Sequence, residues 1–527
     1  VAAACAWRAN GYTFLEGDMA VQELAEDSRT SIKLRSIQGD IVVGLQKDVE
    51  KFIFFTIKDL RKFKRAVKSI QPLVTSAETA ADREAKIAFA KKAGSSVRFA
   101  FLGLNIGFTY SGLEKLLGQA DFGAAVPGFD ASFRAGAEAR APALFDDLAH
   151  WKPAFRGGAI DGVLLIAGPD DQLVQNFATA LVRSFGKAIS IAYDEMGKTR
   201  PQRGHEHFGF LDGVSQPGIR GFTTPENPVD KEQGLPGQDL IHPGEFVFGY
   251  PQQVDPFKVN RTATKEEVGP IAQPPLPWME NGSLMVFRRL EQKVLAFQEN
   301  VAQTAALLEM DPALLAARMV GRWQSGASLV QAPLQDDIGL GSNKFLNNDF
   351  EFGGDHFQRR CPYAAHIRKT YPRDDLNDAG HPLLAGESGE ASVQTHRIRR
   401  AGIPFGPEIG PEDQIGAEVS RGLMFVCYQT SIEEQFEFIQ MRWSNDVNFV
   451  VGKQRPPGSG GGPVTPGQDP IIGLSGGGLT MDEAIPNYPT GNTRSTISIA
   501  QPFVTATGAA YFFMPSLDAL RDSPIVN

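Results

Sequence analysis

The chain has 527 residues, 42% of them hydrophobic and 9% aromatic, including 36 Phe, and so much apolar surface excludes an intrinsically disordered protein. Its formal net charge of −9 has the wrong sign for a protein that coats nucleic acid. Cys5, Cys361 and Cys427 are too few for a disulfide framework, no C-x-x-C pair offers a zinc site, and no apolar run is long enough to span a membrane.

The opening VAAACAWRANGY is apolar only briefly and lacks a basic leader, so it does not read as an intact signal peptide. Strands are expected near Ile41–Val43 and Phe52–Ile57. The segment VRFAFLGLNIGFTYSGLEKLL reads as a β-prone run followed by a helix, with Ser111 and Glu114 spaced as a capping box. A buried strand at Val163–Ala167 leads to Asp170 and Asp171, where a helix N-cap is wanted, and another strand is expected at Ile189–Ala192. Between Gln216 and Gly282 the chain is loaded with Pro and Gly and predicts a long surface connection, which places the domain boundary there. The strand-then-helix scheme returns in GSLMVFRRLEQKVLAFQENVAQTAALL and in GLMFVCYQTSIEEQFEFIQMRW, where Ser431 and Glu434 form a second capping box. A second Gly/Pro-rich loop is RPPGSGGGPVTPGQDP. The scheme predicts an α+β fold of antiparallel sheets covered by helices, and its recurrence hints at duplication.

Three segments carry residues suited to chemistry. In HEHFGFLDGVSQPGI, Asp212-Gly213 is first of all a turn signal, but a carboxylate beside Phe210 and Leu211 can serve as general base and acid if it faces a cleft. In RRCPYAAHIRKTYPR, His366 sits among apolar residues; such a ring is more often a satisfied core histidine than a ligand. Arg368, Lys369 and Arg373 follow, a basic cluster that suits an acidic ligand such as haem propionates or else forms a solvated face. In THRIRRAGIPFGPE, strand alternation sends Arg399 and Arg400 to opposite faces, so only one of them enters a cleft. A non-haem hydrolase using Asp212 with His205 or His207 has no nucleophile motif behind it.

Together these segments resemble the fungal dye-decolorizing peroxidases. The resemblance runs from SIQGDIVVGLQKDVEKFIFF through EHFGFLDGVSQP, GSLMVFRRLEQ, GRWQSGA and NKFLNNDF. It continues through RRCPYAAHIRKTYPR, RIRRAGIPFGPE and RGLMFVCYQTSIEEQFEFIQ to PGQDPIIG. The first thirty or so residues and the GSGGG insertion stand outside it. The resemblance implies two ferredoxin-like domains of the dimeric α+β barrel superfamily. Residues 1–235 would contribute the distal Asp loop, and residues 236–527 would bind haem b. It implies that His366 is the proximal iron ligand, Asp212 the distal acid–base residue and Arg400 the distal arginine. Leu423 and Phe425 would line the distal side, and Asp469 would accept the proximal histidine's proton, with Glu433 as its nearest rival. Arg368 is assigned to the haem carboxylates.

The implied activity is hydrogen-peroxide-dependent, one-electron oxidation of dyes, phenols and other aromatic donors. No nucleic-acid or membrane partner is expected. The family also implies a homodimer, a secreted location and oxidation of bulky donors at a surface aromatic residue, for which Trp443 is the candidate by position. Phe436, Ile439 and Trp443 also stand at helical spacing, the mark of a core stripe. A haem carrier on the same fold would have no need of Asp212 and Arg400, whose presence favours the enzyme. The N-x-S/T triplets at Asn260 and Asn281 matter only in a secreted chain.

Overall fold

The computed structural model describes residues 32–97, 99–118, 128–227, 232–454, 462–474, 479–486, 494–499 and 502–527. Cys5, the opening dodecapeptide and most of the GSGGG insertion lie outside the described residues.

Nine strands among the described residues form one sheet whose pairs are all antiparallel. The first half supplies β1 (Val49–Ile57), β2 (Gly103–Phe108), β3 (Gly162–Gly168) and β4 (Ile189–Lys198), in the spatial order β4-β1-β3-β2. The second half supplies β5 (Ser283–Gln292), β6 (Arg399–Arg400), β7 (Ile403–Phe405), β8 (Gly422–Gln429) and β9 (Val504–Met514), in the order β9-β5-β8 with β6 and β7 both on β8. If β6 and β7 count as one interrupted strand, each half is a β-α-β-β-α-β unit with strand order 4-1-3-2, the ferredoxin-like arrangement. The duplication hinted at in the sequence is therefore present as topology. The halves join where Phe108 of β2 lies beside Phe513 of β9. At the other end, Gly197 of β4 lies so close to β7 and β8 that a Cβ there would sit 2.5 Å from Ile403 Cγ2, and this approach curls the sheet toward a barrel.

Strand alternation decides what each side chain meets. Phe52 and Phe54 of β1 point inward, where their rings lie 5.2 and 4.8 Å from Phe287 of β5. Phe55 points outward to Phe63 and Phe185 at 5.5 and 6.3 Å. Those two rings sit on α1 (Leu60–Ile70) and α2 (Asp171–Phe185), which cover the outer face. Asp59 and Asp170 cap these helices, accepting from Lys62 N and Leu173 N. With both faces covered, β1 reads as a continuous apolar run, and each buried Phe contributes about 1.5–3 kcal/mol.

Several sequence expectations need correction. Ile41 and Val42 belong to a helical turn, Gly39–Val42, rather than a strand. The Asp40 side chain accepts from Leu45 N and its backbone N–H donates to Asn105 Oδ1, so local polar bonds close the turn before a β ladder can form. The helix after β2 starts at Tyr110, and Thr109 rather than Ser111 caps it, accepting from Gly112 N. Ser431 does cap its helix, but the return bond to its own N–H comes from Gln435, while Glu434 reaches Lys258. The Pro/Gly-rich segment is not a surface connection: Ile241, Phe246, Val247 and Met279 are fully buried. Its backbone is satisfied inside by side chains, as when Glu245 accepts from Gln253 N and Gln435 donates to Glu245 O.

Candidate active site

A deep cleft lies against the outer face of the second sheet half and encloses about 1780 Å³ of empty space, counting its open mouth. Alternation that sends Phe287 inward sends Arg288, Leu290 and Gln292 of β5 outward into its wall. Leu423 and Phe425, two apart on β8, share that wall as the same period requires.

On one side stands His366, the first residue of a short helix, His366–Thr370. Its Nδ1 donates to Asp469 Oδ2 at 2.7 Å, while Asp469 Oδ1 accepts the backbone N–H groups of Ile471 and Ile472 at 2.8 and 3.1 Å. Asp469 is completely buried, so the bond fixes ring and tautomer and leaves the neutral imidazole's lone pair on Nε2. Burial pushes the imidazole pKa down, but the charge and hydrogen bond of Asp469 outweigh it and the net shift is upward.

Across the cleft, Asp212 Oδ1 accepts from Arg400 Nη1 at 2.9 Å and from Gly213 N at 2.6 Å. The Asp212 side chain is 42% exposed, and the surface it exposes gives onto the cleft. Desolvation pushes its carboxyl up, but the Arg400 charge, the Gly213 N–H and the Arg400 hydrogen bond prevail and hold it below the ordinary carboxylate range. Arg400 is held by its backbone: its carbonyl accepts from Gln216 Nε2, and its N–H donates to Gln216 Oε1. Arg399 turns the other way, to the carbonyls of Val42 and Val43, as alternation demands.

One end of the cleft is cationic. Arg322, Arg373 and Arg397 line it, with Arg373 bound to Phe350 O and Asn348 Oδ1 and Arg397 stacked 3.6 Å from the Tyr371 ring centroid. Burial, reinforced by the nearby charge of Arg373, pushes Arg322 down to about 9.

Two sequence assignments are overturned. Arg368 does not reach the cleft: it is wholly buried elsewhere, its guanidinium held by Asp375, Asp355 and Cys361 O. A five-residue helix starting at His366 turns residue 368 away from the face that carries the ring, so Arg373 and Arg397 supply the cationic end instead. Trp443 is 3% exposed, stacked on Phe449 and edge-on to His396, so it is not a surface side chain and the core-stripe reading prevails. Glu433 is exposed and lines a different cavity. His207 is buried against Phe405 O, and neither His205 nor His207 lines the cleft. The sequence reading did not single out Glu206, Gln216 or Gln292; only strand alternation could have pointed to Gln292, through Arg288 and Leu290.

The chain resembles fungal peroxidases along nearly its whole length. It is 34% identical over 530 residues to "Peroxidase 2" of Mycetinis scorodonius, covering 96% of this chain and 91% of that one. It is also 34% identical over 517 residues to a dye-decolorizing peroxidase of Exidia glandulosa, covering 95% and 89%. The chain belongs to the dye-decolorizing peroxidase family. It is accordingly an oxidoreductase that uses peroxide as acceptor, and members of this family are haem enzymes. Residues 36–201 match the model of the DyP dimeric alpha+beta barrel domain. Among solved structures, an ancestral D-type dye-decolorizing peroxidase superposes with a TM-score of 0.77 at 35% identity, covering 94% of this chain and all of that one. A dye-decolorizing peroxidase in complex with 2,6-dimethoxyphenol gives 0.73 at 33% identity, with the same coverage. No helix among the described residues is long and apolar enough to cross a membrane.

Proposed function

We propose that this peroxidase binds haem b in the cleft and uses it to oxidise dyes, phenols and other aromatic donors with hydrogen peroxide. The observation that carries the reading is the opposition of two pairs across one cleft, His366–Asp469 on one side and Asp212–Arg400 on the other. The residues suit the cofactor. His366 Nε2 has no hydrogen-bond partner among the described residues and its ring lines the cleft, so this nitrogen would be free to hold an iron. No cluster of three metal-ligating side chains occurs among the described residues, so an iron held by His366 would take its remaining donors from a prosthetic group. Apolar walls at Leu423, Phe425, Ile471 and Val320 suit a porphyrin's faces, and Arg373 and Arg397 suit its carboxylates.

Bound haem supplies an iron centre that takes two oxidising equivalents from peroxide and delivers them to donors one electron at a time. Asp212, ionised and at the cleft wall, takes the proton from one peroxide oxygen and returns it to the other. Arg400, permanently cationic, stabilises the negative charge that develops on the departing oxygen. Asp469 holds the His366 ring by Nδ1 and raises the basicity of Nε2. Leu423 and Phe425 keep bulk water from the proton's path.

The reading extends to a two-domain division near residue 235, a homodimer and an extracellular location. Its test is spectroscopic. Protein loaded with haem should show a Soret band that changes on adding peroxide, and His366→Ala should lose that band. A band that ignores peroxide would leave only haem carriage, and none at all would remove the cofactor. Asp212→Asn should slow the peroxide step in stopped flow by about a hundredfold or more, the usual contribution of a general base.

A further inference from the structure

Glu206 stands in the wall of the cleft, six residues before Asp212, and the mechanism above does not use it. Its carboxylate carries three N–H donors. Oε1 accepts from Phe210 N and Oε2 from Phe208 N, both at 2.8 Å, and Oε2 also accepts from Gln292 Nε2. No cation pairs with that carboxylate among the described residues. The residue is half-buried and its nearest cation, Arg200, bonds its backbone carbonyl rather than its carboxylate, whereas a fold that needed only packing would place an aliphatic side chain there.

The three donors come from two elements. Phe208 and Phe210 belong to the loop that carries Asp212, while Gln292 ends β5. The backbone of the loop closes around the same residue: Glu206 N–H donates to Phe210 O, Gly209 N–H donates to Glu206 O, and Arg200 reaches that carbonyl too. Gly209 makes the bend at φ +96°, a conformation that L side chains rarely adopt. One turn on, Asp212 N–H donates to Gly204 O. The loop thus has an internal frame, and two of its side chains fasten that frame to the sheet: His207, against Phe405 O of β7, and Glu206, through Gln292 of β5.

We propose that Glu206 is a positioning residue for Asp212, holding its loop on β5 so that the carboxylate meets Arg400 and the peroxide at a fixed place. The proposal rests on the assignment of Asp212 as acid–base residue. Glutamine at this position would keep size and shape but turn an NH₂ group toward a backbone N–H.

The test measures Glu206→Gln in the haem-loaded enzyme by stopped flow, by steady-state kinetics with an aromatic donor, and by hydrogen exchange of the peptide spanning residues 204–213. The peroxide step should slow at least about tenfold, the donor KM should stay within about twofold, and exchange should speed up in that peptide alone. In an Asp212→Asn background, adding Glu206→Gln should slow the step by less than about twofold further, because a positioning residue has nothing left to position. A merely structural role would instead add its full cost in either background, and that result overturns the proposal, as does unchanged exchange in a folded Glu206→Gln. Should Glu206→Gln fail to fold, Gln292→Met removes one donor and should show the same pattern more weakly; unchanged exchange and peroxide rate in that variant overturn it equally. If Asp212→Asn itself leaves the peroxide step unchanged, the fault lies with the assignment of Asp212 rather than with Glu206.

Discussion

At the scale of single residues, the role proposed for Asp212 makes its pairing with Arg400 the determinant of the acid behaviour. Desolvation raises the Asp212 carboxyl and Arg400 more than reverses it, so the net shift is downward. The base form exists above the folded pKa, and lowering that pKa keeps it present further into acid. The peroxide step should therefore hold its rate from neutrality down to the ordinary aspartate range of about 4 and fall only below it. Arg400→Leu leaves desolvation unopposed by that charge, so the acid limb should move to higher pH as well as the rate falling. A stopped-flow series across pH measures both, and a limb that stays in place in Arg400→Leu would show that Arg400 does not set the base. The types and spacing of Asp212, His366 and Arg400 were legible in the sequence. The direction of Arg368 was not, because a side chain's heading on a short helix depends on where that helix lies.

At the scale of elements, the helix His366–Thr370 divides its duties. His366 faces the cleft, while Arg368 locks the helix to Asp375 and Asp355 in the interior, with Lys453 sharing Asp375 at 2.9 Å. Arg368→Met should destabilise the protein by about 3–5 kcal/mol, since it strands buried carboxylates. Thermal denaturation reads the loss; the haem spectrum of the folded fraction should keep its shape, whereas a changed spectrum would restore Arg368 to the cofactor's surroundings. The Pro/Gly-rich stretch after Gln216 makes the complementary point. Its composition announces a chain without helices, and among the described residues that much holds, with only short turns and two-residue strands up to Gly282 apart from the one-turn helix Pro256–Val259. Burial was invisible because it depends on side chains reaching backbone groups across turns and across the chain, Gln253 to His242 within the stretch and Gln435 to Glu245 from far beyond it.

At the scale of the whole molecule, two units of the same strand order share one sheet, and the cleft lies on the outer face of the second, with the Asp212 loop in its wall. The two glycosylation triplets also separate at this scale. Asn260 is exposed in a left-handed turn, whereas Asn281 is 6% exposed and its Oδ1 accepts from Tyr250 OH. In a secretory host a glycan should be found at Asn260, and Asn260→Gln should abolish the mass shift on glycosidase treatment. Asn281→Gln should lower thermal stability and leave the glycan in place. A glycan at Asn281 would contradict the burial.

The sequence by itself determined the α+β class, most of the strands, the family and the three residue types that face one another in the cleft. These follow from local periodicity and from motifs whose spacing survives without knowledge of the fold. Tertiary structure alone decided that Trp443 is interior, that Arg373 and Arg397 rather than Arg368 make the cationic end, and that Glu206 and Gln216 brace the two sides of the Asp212–Arg400 pair. Each of those outcomes depends on a partner tens or hundreds of residues away, and no local pattern in a chain encodes where such a partner will arrive.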